Sequence, residues 1–202
     1  AGLDHLHLLV QKCILRSDAA VDLTLLLGVD GRVWSLHGEH FRSYTPFHSE
    51  NCLGMECVTG EFGIQVDVAT HWLLEGAQIH TQKYCEGEKT GFKEYTLTLL
   101  PETPLSLTQV GSIYTGNDVD TPYQKAIQVG KTALADRYES LLEGHTQRWE
   151  TLWAVSDVQI EGDLEAQTAL RFNLYHNIIA TPSHTDDLPI GARGLSCQAY
   201  QG

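Results

Sequence analysis

The stretch Thr115-Gly116-Asn117-Asp118-Val119-Asp120-Thr121-Pro122-Tyr123-Gln124 divides the chain into two periodicities. Gly116, Asn117 and Asp118 are turn formers that close a strand pattern, and Thr121-Pro122-Tyr123-Gln124 has the spacing of a helix start. Thr121 can accept from the Gln124 backbone N–H, Gln124 can reach back to Thr121, and Pro122 suits the first helical position, where no N–H is needed. Downstream, Ile127, Leu134, Tyr138, Leu141, His145, Trp149 and Leu152 recur every three, four or seven residues along one stripe, which predicts a helix over about 122–153. At 1.5 Å per residue that helix is roughly 48 Å long, and Gly130 and Gly144 are its expected breaks.

Upstream, apolar residues alternate with polar ones at the period of strands. Phe62, Ile64, Val66 and Val68 make the clearest run, with Gly63, Gln65, Asp67 and Ala69 on the other side. Val21, Leu23, Leu25 and Leu27 repeat it ahead of an expected turn at Gly28-Val29-Asp30-Gly31, and Leu6, Leu8 and Val10 form another candidate. The runs Gln78 to Tyr84 and Phe92 to Leu100 are rich in Thr, Tyr and β-branched residues and flank turn signals at Glu86 to Gly91. Together they predict an antiparallel sandwich.

Beyond the long helix, Asp163 is a candidate N-cap for a second one carrying Leu164, Ala169, Leu170, Phe172, Leu174, Tyr175, Ile178 and Ile179. Apolar residues cover most of its circumference, which predicts burial. Pro182 and Pro189 end the regular pattern, and residues 190–202 read as a loop.

The 202 residues carry 13 Lys plus Arg against 26 Asp plus Glu, a formal charge of -13 that argues against nucleic acid and against an acidic membrane surface. No apolar stretch approaches the roughly 20 residues of a membrane span. Cys13, Cys52, Cys57, Cys85 and Cys197 lack paired C-x-x-C spacing and read as free thiols, which favours a cytoplasmic location over a secreted or periplasmic one. The chain opens with Ala1, which is compatible with a removed leader.

Spacing alone yields no catalytic constellation. Asp157, Glu161, Asp163, Asp186 and Asp187 are the carboxylates near the helical end, but Asp163 reads as a cap and Asp157 and Glu161 as solvated. His37 with His40, or His5 with His7, could place two imidazoles together, without a third metal ligand; His5 and His7 fit a solvated sheet face. Gly194-Leu195-Ser196-Cys197-Gln198 lacks the glycine of a nucleophile elbow, and no phosphate-cradling glycine motif occurs. Among the tryptophans, Trp149 and Trp153 fall on the helix stripe and read as core, leaving Trp34 and Trp72 as candidates for stacking on sugar rings.

Toward the helical end the words become specific: Trp149-Glu150-Thr151-Leu152-Trp153, Ser156-Asp157-Val158-Gln159-Ile160-Glu161-Gly162-Asp163 and Gln167-Thr168-Ala169-Leu170-Arg171-Phe172-Asn173-Leu174-Tyr175-His176. They continue in Pro189-Ile190-Gly191-Ala192-Arg193-Gly194-Leu195-Ser196 and Ala199-Tyr200-Gln201-Gly202, with Val29-Asp30-Gly31-Arg32-Val33 as a looser match in the strand-rich half. This pattern resembles glycoside hydrolase family 65, which includes maltose, trehalose and kojibiose phosphorylases, acid trehalases and related α-glucosidases.

The resemblance implies a β-sandwich, a helical linker and an (α/α)6 barrel. Residues 1–116 would belong to the sandwich, 117–162 to the linker and 163–202 to the start of the catalytic barrel, so the chain would be an internal piece of a longer enzyme. It implies inversion at an α-glucoside: a carboxylic acid protonates the leaving oxygen while phosphate or activated water attacks from the opposite face. The general acid falls outside the chain, so no catalytic residue is assigned. Arg193, Tyr200 and Gln201 lie in the matching loop that leads into the sugar site and are the expected substrate-binding residues, bracing of that loop being the other reading for Arg193 and Tyr200. The implied partners are an α-linked glucose disaccharide or glucoside, the remainder of the polypeptide and a second copy in a homodimer. No metal or organic cofactor is implied; inorganic phosphate is the co-substrate of a phosphorylase. The wording of residues 186–200 is closer to kojibiose- and trehalose-acting members than to maltose phosphorylases. The alternative is a non-catalytic carbohydrate-binding or assembly module, which needs an exposed aromatic platform at Trp34 and Trp72.

Overall fold

Among the described residues, eight strands precede three helices. The computed structural model describes residues 2–33, 38–185 and 190. The strands are β1 (Leu8–Leu15), β2 (Val21–Asp30), β3 (Phe41–His48), β4 (Cys52–Thr59), β5 (Gln65–Glu75), β6 (Gln78–Gly87), β7 (Thr90–Leu99) and β8 (Leu105–Thr115); the helices are α1 (Pro122–Ala135), α2 (Tyr138–Ser156) and α3 (Leu164–Ala180). Every strand pair is antiparallel, in a five-stranded sheet of order β1-β8-β5-β4-β3 and a three-stranded sheet of order β2-β7-β6. Leu27, Leu53, Trp72, Tyr95, Leu97 and Leu105, drawn from both sheets, form one buried cluster between them. The antiparallel sandwich predicted from alternation is the architecture observed.

Several boundaries differ from the sequence reading. Phe62 lies in the turn ahead of β5 and is 87% exposed; the strand starts at Gln65 and runs on through His71 and Trp72. β2 continues through Gly28 and Val29, which pair with Phe92 and Gly91, so the expected turn is displaced beyond Asp30. β3, β4 and β8 had no clean alternating signal, because β4 and β8 are covered on both faces and bury polar and apolar residues alike. At the end of β8, Asp118 accepts from the Thr115 backbone N–H and hydroxyl, both at 2.8 Å, and closes the strand where the periodicity changes.

One face of the five-stranded sheet turns toward the other sheet, and α1 lies across the opposite face. Its contact residues are small: Ala126, Gly130 and Ala133 are buried, spaced to fall on one side of the helix. They seat on Ala69 and Tyr114 at one end and on Leu8 and Val110 at the other. A Cβ on Gly130 would stand 2.6 Å from His71 Nδ1 and 2.9 Å from Ser112 Oγ, so the helix approaches the sheet as closely as its backbone allows. Gly54 serves the same face: any Cβ there would collide with the Phe47 ring, which lies over it and meets Tyr123 edge-on at 4.8 Å. The capping box at Thr121 is not formed. Thr121 makes no side-chain cap bond, and Pro122 opens the helix with the Lys125 N–H bonded to the Thr121 carbonyl at 3.1 Å.

The helix predicted over 122–153 is two helices, and the break falls at Asp136 and Arg137 rather than at Gly130 or Gly144. Arg137 adopts a φ of 65°, the left-handed conformation that ends α1. The chain divides into two units, Ala1–Ser35 with Glu39–Thr146 and Leu36–Gly38 with Gln147–Gly202. Within the second, Trp149 stacks on Trp153 at 6.2 Å and on Tyr175 at 5.3 Å. Both tryptophans are half-buried rather than core. Asp163 caps α3 by accepting from the Ala166 N–H at 2.9 Å, as its position predicted. α3 itself buries no residue: Leu164 is 82% and Phe172 63% exposed, so the burial expected from its broad apolar surface is not provided within the described residues.

Candidate functional site

The residues expected to line a sugar site, Arg193, Tyr200 and Gln201, lie outside the described residues, as do Trp34, His37, Asp186, Asp187 and Cys197. What the structure places are the remaining candidates. Trp72 is 3% exposed and its Nε1 donates to the Tyr95 hydroxyl at 2.9 Å inside the sandwich. It holds the two sheets together and offers no face to a ligand, which removes it from the proposed aromatic platform.

His5 and His7 precede β1 instead of sharing a sheet face. The His7 ring stacks on Tyr114 at 4.0 Å and its Nδ1 donates to the Ile113 carbonyl at 2.9 Å. His40 Nδ1 sits 3.1 Å from Glu61 Oε1. Among the described residues no three His, Cys, Asp or Glu side chains converge as a metal site. Asp157, read as solvated, is engaged: Arg171 donates to both of its oxygens, at 2.8 and 2.6 Å, and holds the carboxyl below its ordinary range. In the Val29-Asp30-Gly31-Arg32-Val33 stretch, Asp30 receives the Arg32 backbone N–H and guanidinium, which lowers its pKa to about 2. Both carboxylates are thereby fixed as ion-pair partners and are poorly suited to proton transfer.

Two features escaped the sequence reading. One is a cleft of about 210 Å³ where residues before and within β1 meet the first half of α2, with Leu8, Val10, Tyr138 and Leu141 as its apolar wall and Asp4 and His145 at its polar end. The other is the polar content of the surface under α1. Asp67 and Ser112 are fully buried there, and His71 nearly so. Ser112 donates to the Ala126 carbonyl at 2.6 Å, tying sheet to helix. Burial, and next the positive charge of Lys131, lowers the pKa of His71 and keeps it neutral. The small-residue spacing of Ala126, Gly130 and Ala133 was the available signal that this sheet face is covered.

These sheets and helices agree with what is found in known proteins. The profile described as glycosyl hydrolase family 65, N-terminal domain, matches residues 1–152. The chain belongs to that family. It is 37% identical to 1,2-alpha-glucosylglycerol phosphorylase of Bacillus selenitireducens over 97% of this chain and 25% of that protein. It is 29% identical to nigerose phosphorylase of Lachnoclostridium phytofermentans over 100% of this chain and 30% of that protein. A solved structure from the human microbiome assigned as a kojibiose phosphorylase superposes with a TM-score of 0.85 at 19% identity, covering 97% of this chain and 26% of that one, which establishes the shared fold. The chain therefore spans between a quarter and a third of the length of these relatives. No helix among the described residues is long and apolar enough to cross a membrane.

Proposed function

We propose that the chain is the sandwich-and-linker portion of an inverting enzyme that cleaves an α-glucoside with phosphate, or with water, as the nucleophile. The observation that carries this is the 37% identity to a 1,2-alpha-glucosylglycerol phosphorylase over nearly the whole chain. Relatives that match include nigerose, kojibiose and maltose phosphorylases and a kojibiose hydrolase, so phosphorolysis is the favoured chemistry and hydrolysis the second reading. In either, a carboxylic acid on the barrel protonates the leaving oxygen while the nucleophile enters from the opposite face, and a phosphorylase needs no protein base for that entry.

Residues 1–116 then form the sandwich, 117–162 the linker and 163–202 the beginning of the barrel. On this division α3 is the first barrel helix, and its exposed Leu164 and Phe172 are covered by the helices that follow. Arg193, Tyr200 and Gln201 approach the bound sugar. The free thiols favour the cytoplasm, and the proposed assembly is a homodimer.

The test is an assay of the full-length protein on 2-O-α-glucosylglycerol, kojibiose, nigerose, trehalose and maltose, each with and without phosphate. Phosphate-dependent release of β-glucose 1-phosphate is the expected result. Free glucose formed without phosphate establishes the hydrolase reading, and silence on all five substrates overturns both. Arg193→Ala should raise KM for the glucoside; an unchanged KM removes that residue from the sugar site.

A further inference from the structure

The surface between the five-stranded sheet and α1 contains a carboxyl group that no catalytic or ion-pairing role explains. Asp67 on β5 is directly opposite Glu56 of β4 and Tyr114 of β8, so these three side chains stand in one row on the face that α1 covers. Asp67 is fully buried; Gln65 Nε2 donates to its Oδ2 at 2.8 Å, and its Oδ1 has no hydrogen-bond partner. The groups around it are Glu56 and Cys57 from β4, Tyr114 from β8 and Tyr123 from the first turn of α1, and none of them is a cation. Tyr114 and Tyr123 are held neutral by burial in the first place. A carboxylate in this setting has lost its water, gained one neutral donor and faces a second carboxyl across the ladder.

We propose that Asp67 is a pH-sensitive latch for α1: protonated while the helix is seated, it releases the first turns of the helix from the sheet when it ionises. Hydrating the carboxylate requires access from the α1 side, because the row Tyr114–Asp67–Glu56 is closed within the sheet by the ladder bonds. The contacts to break there are Ala126 against Ala69 and Tyr114, Tyr123 against Phe47, and the bond from the Ser112 hydroxyl to the Ala126 carbonyl. Burial first and Glu56 second raise the Asp67 pKa from 3.8 to about 6. A carboxyl raised in the seated state favours seating most strongly below 3.8, and that advantage disappears as pH climbs through about 6.

Hydrogen exchange on the full-length protein tests this, with each amide's rate divided by its intrinsic rate at the same pH. Between pH 5 and pH 7.5, protection of the α1 amides should fall about tenfold, from a carboxyl titrating near 6 when seated and near 3.8 when exposed. In Asp67→Asn the α1 protection should be flat with pH, and in Glu56→Gln the fall should be smaller. A flat profile in the wild type, or a fall that D67N retains, overturns the latch. So does a fall of equal size in the amides of the sandwich strands, which would report loss of the whole domain. Asp67→Ser keeps the test decisive if D67N does not fold, because a fall retained in that variant also refutes the proposal.

Discussion

Replacing Gly130 by Ala tests whether α1 is seated as closely as its small residues imply. In an open helix the change should stabilise by about 1 kcal/mol, since glycine is a poor helix former. Here the added methyl would stand 2.6 Å from His71 Nδ1 and 2.9 Å from Ser112 Oγ. Neither neighbour can easily move: His71 is 5% exposed and packed in the sheet, and Ser112 is fully buried and bonded to the Ala126 carbonyl. Overpacking of this kind costs about 1–3 kcal/mol, and disturbing the Ser112 bond adds about 1 kcal/mol. The net expectation is destabilisation by about 1–3 kcal/mol, read as a lower urea midpoint with unchanged slope when wild type and variant are unfolded side by side. Gly144→Ala is the internal control. Its added methyl meets only the end of the Asp4 side chain, which can swing aside, so that variant should be neutral or slightly stabilising. A neutral or stabilising Gly130→Ala would refute the close seating of α1.

Three further outcomes follow from contacts described above. Trp72→Phe and Tyr95→Phe each remove the buried bond between the sheets and should each cost about 1–2 kcal/mol, while the double variant should cost less than their sum; additive losses would show the bond contributes nothing. Asp163→Ala should destabilise α3 by about 1 kcal/mol, with loss of exchange protection in its first turn and none in the sandwich. Cys52 and Cys57, pushed up to about 11 by burial, should react with an alkylating reagent at pH 8 at least about a hundredfold more slowly than exposed Cys13, and equal rates would contradict their placement.

The sandwich was legible wherever a strand has one wet face. Val21 to Leu27 alternates, the runs that became β6 and β7 are rich in Thr, Tyr and β-branched residues, and all three were located within a few residues. Alternation failed on β4 and β8, where Cys52, Val110 and Tyr114 face α1 along with Gly54 and Ser112, and Leu53, Leu105 and Leu107 face the other sheet, leaving no solvent side to set a rhythm. On β5 the polar phase of the pattern, with Asp67 and His71, proved to be as buried as the apolar one. The break between α1 and α2 was invisible for a different reason. Leu134 and Tyr138 are four residues apart, so the apolar stripe runs unbroken across Asp136 and Arg137, and only the backbone conformation of Arg137 marks the interruption. Family membership was legible from the words at the helical end, because those words record side-chain identity and do not depend on periodicity. Asp67 could not be singled out, since a polar residue on an alternating strand reads as solvent-facing until the helix that covers it is known.

The order of strands also constrains how the chain is made. Among the described residues, β1 pairs only with β8, through contacts such as Leu8 with Ser112, and β2 pairs only with β7, as in Val21 with Leu99. Within this segment β1 and β2 therefore leave the ribosome before their partners and wait until β8 and β7, respectively, have emerged. Meanwhile β4 with β5 and β6 with β7 can close as hairpins between sequence neighbours. Leu9 and Leu26, half exposed even in the finished domain, are displayed throughout that interval. Translation speed between β2 and β8, and the chaperones that attend it, thus bear directly on the yield of folded protein.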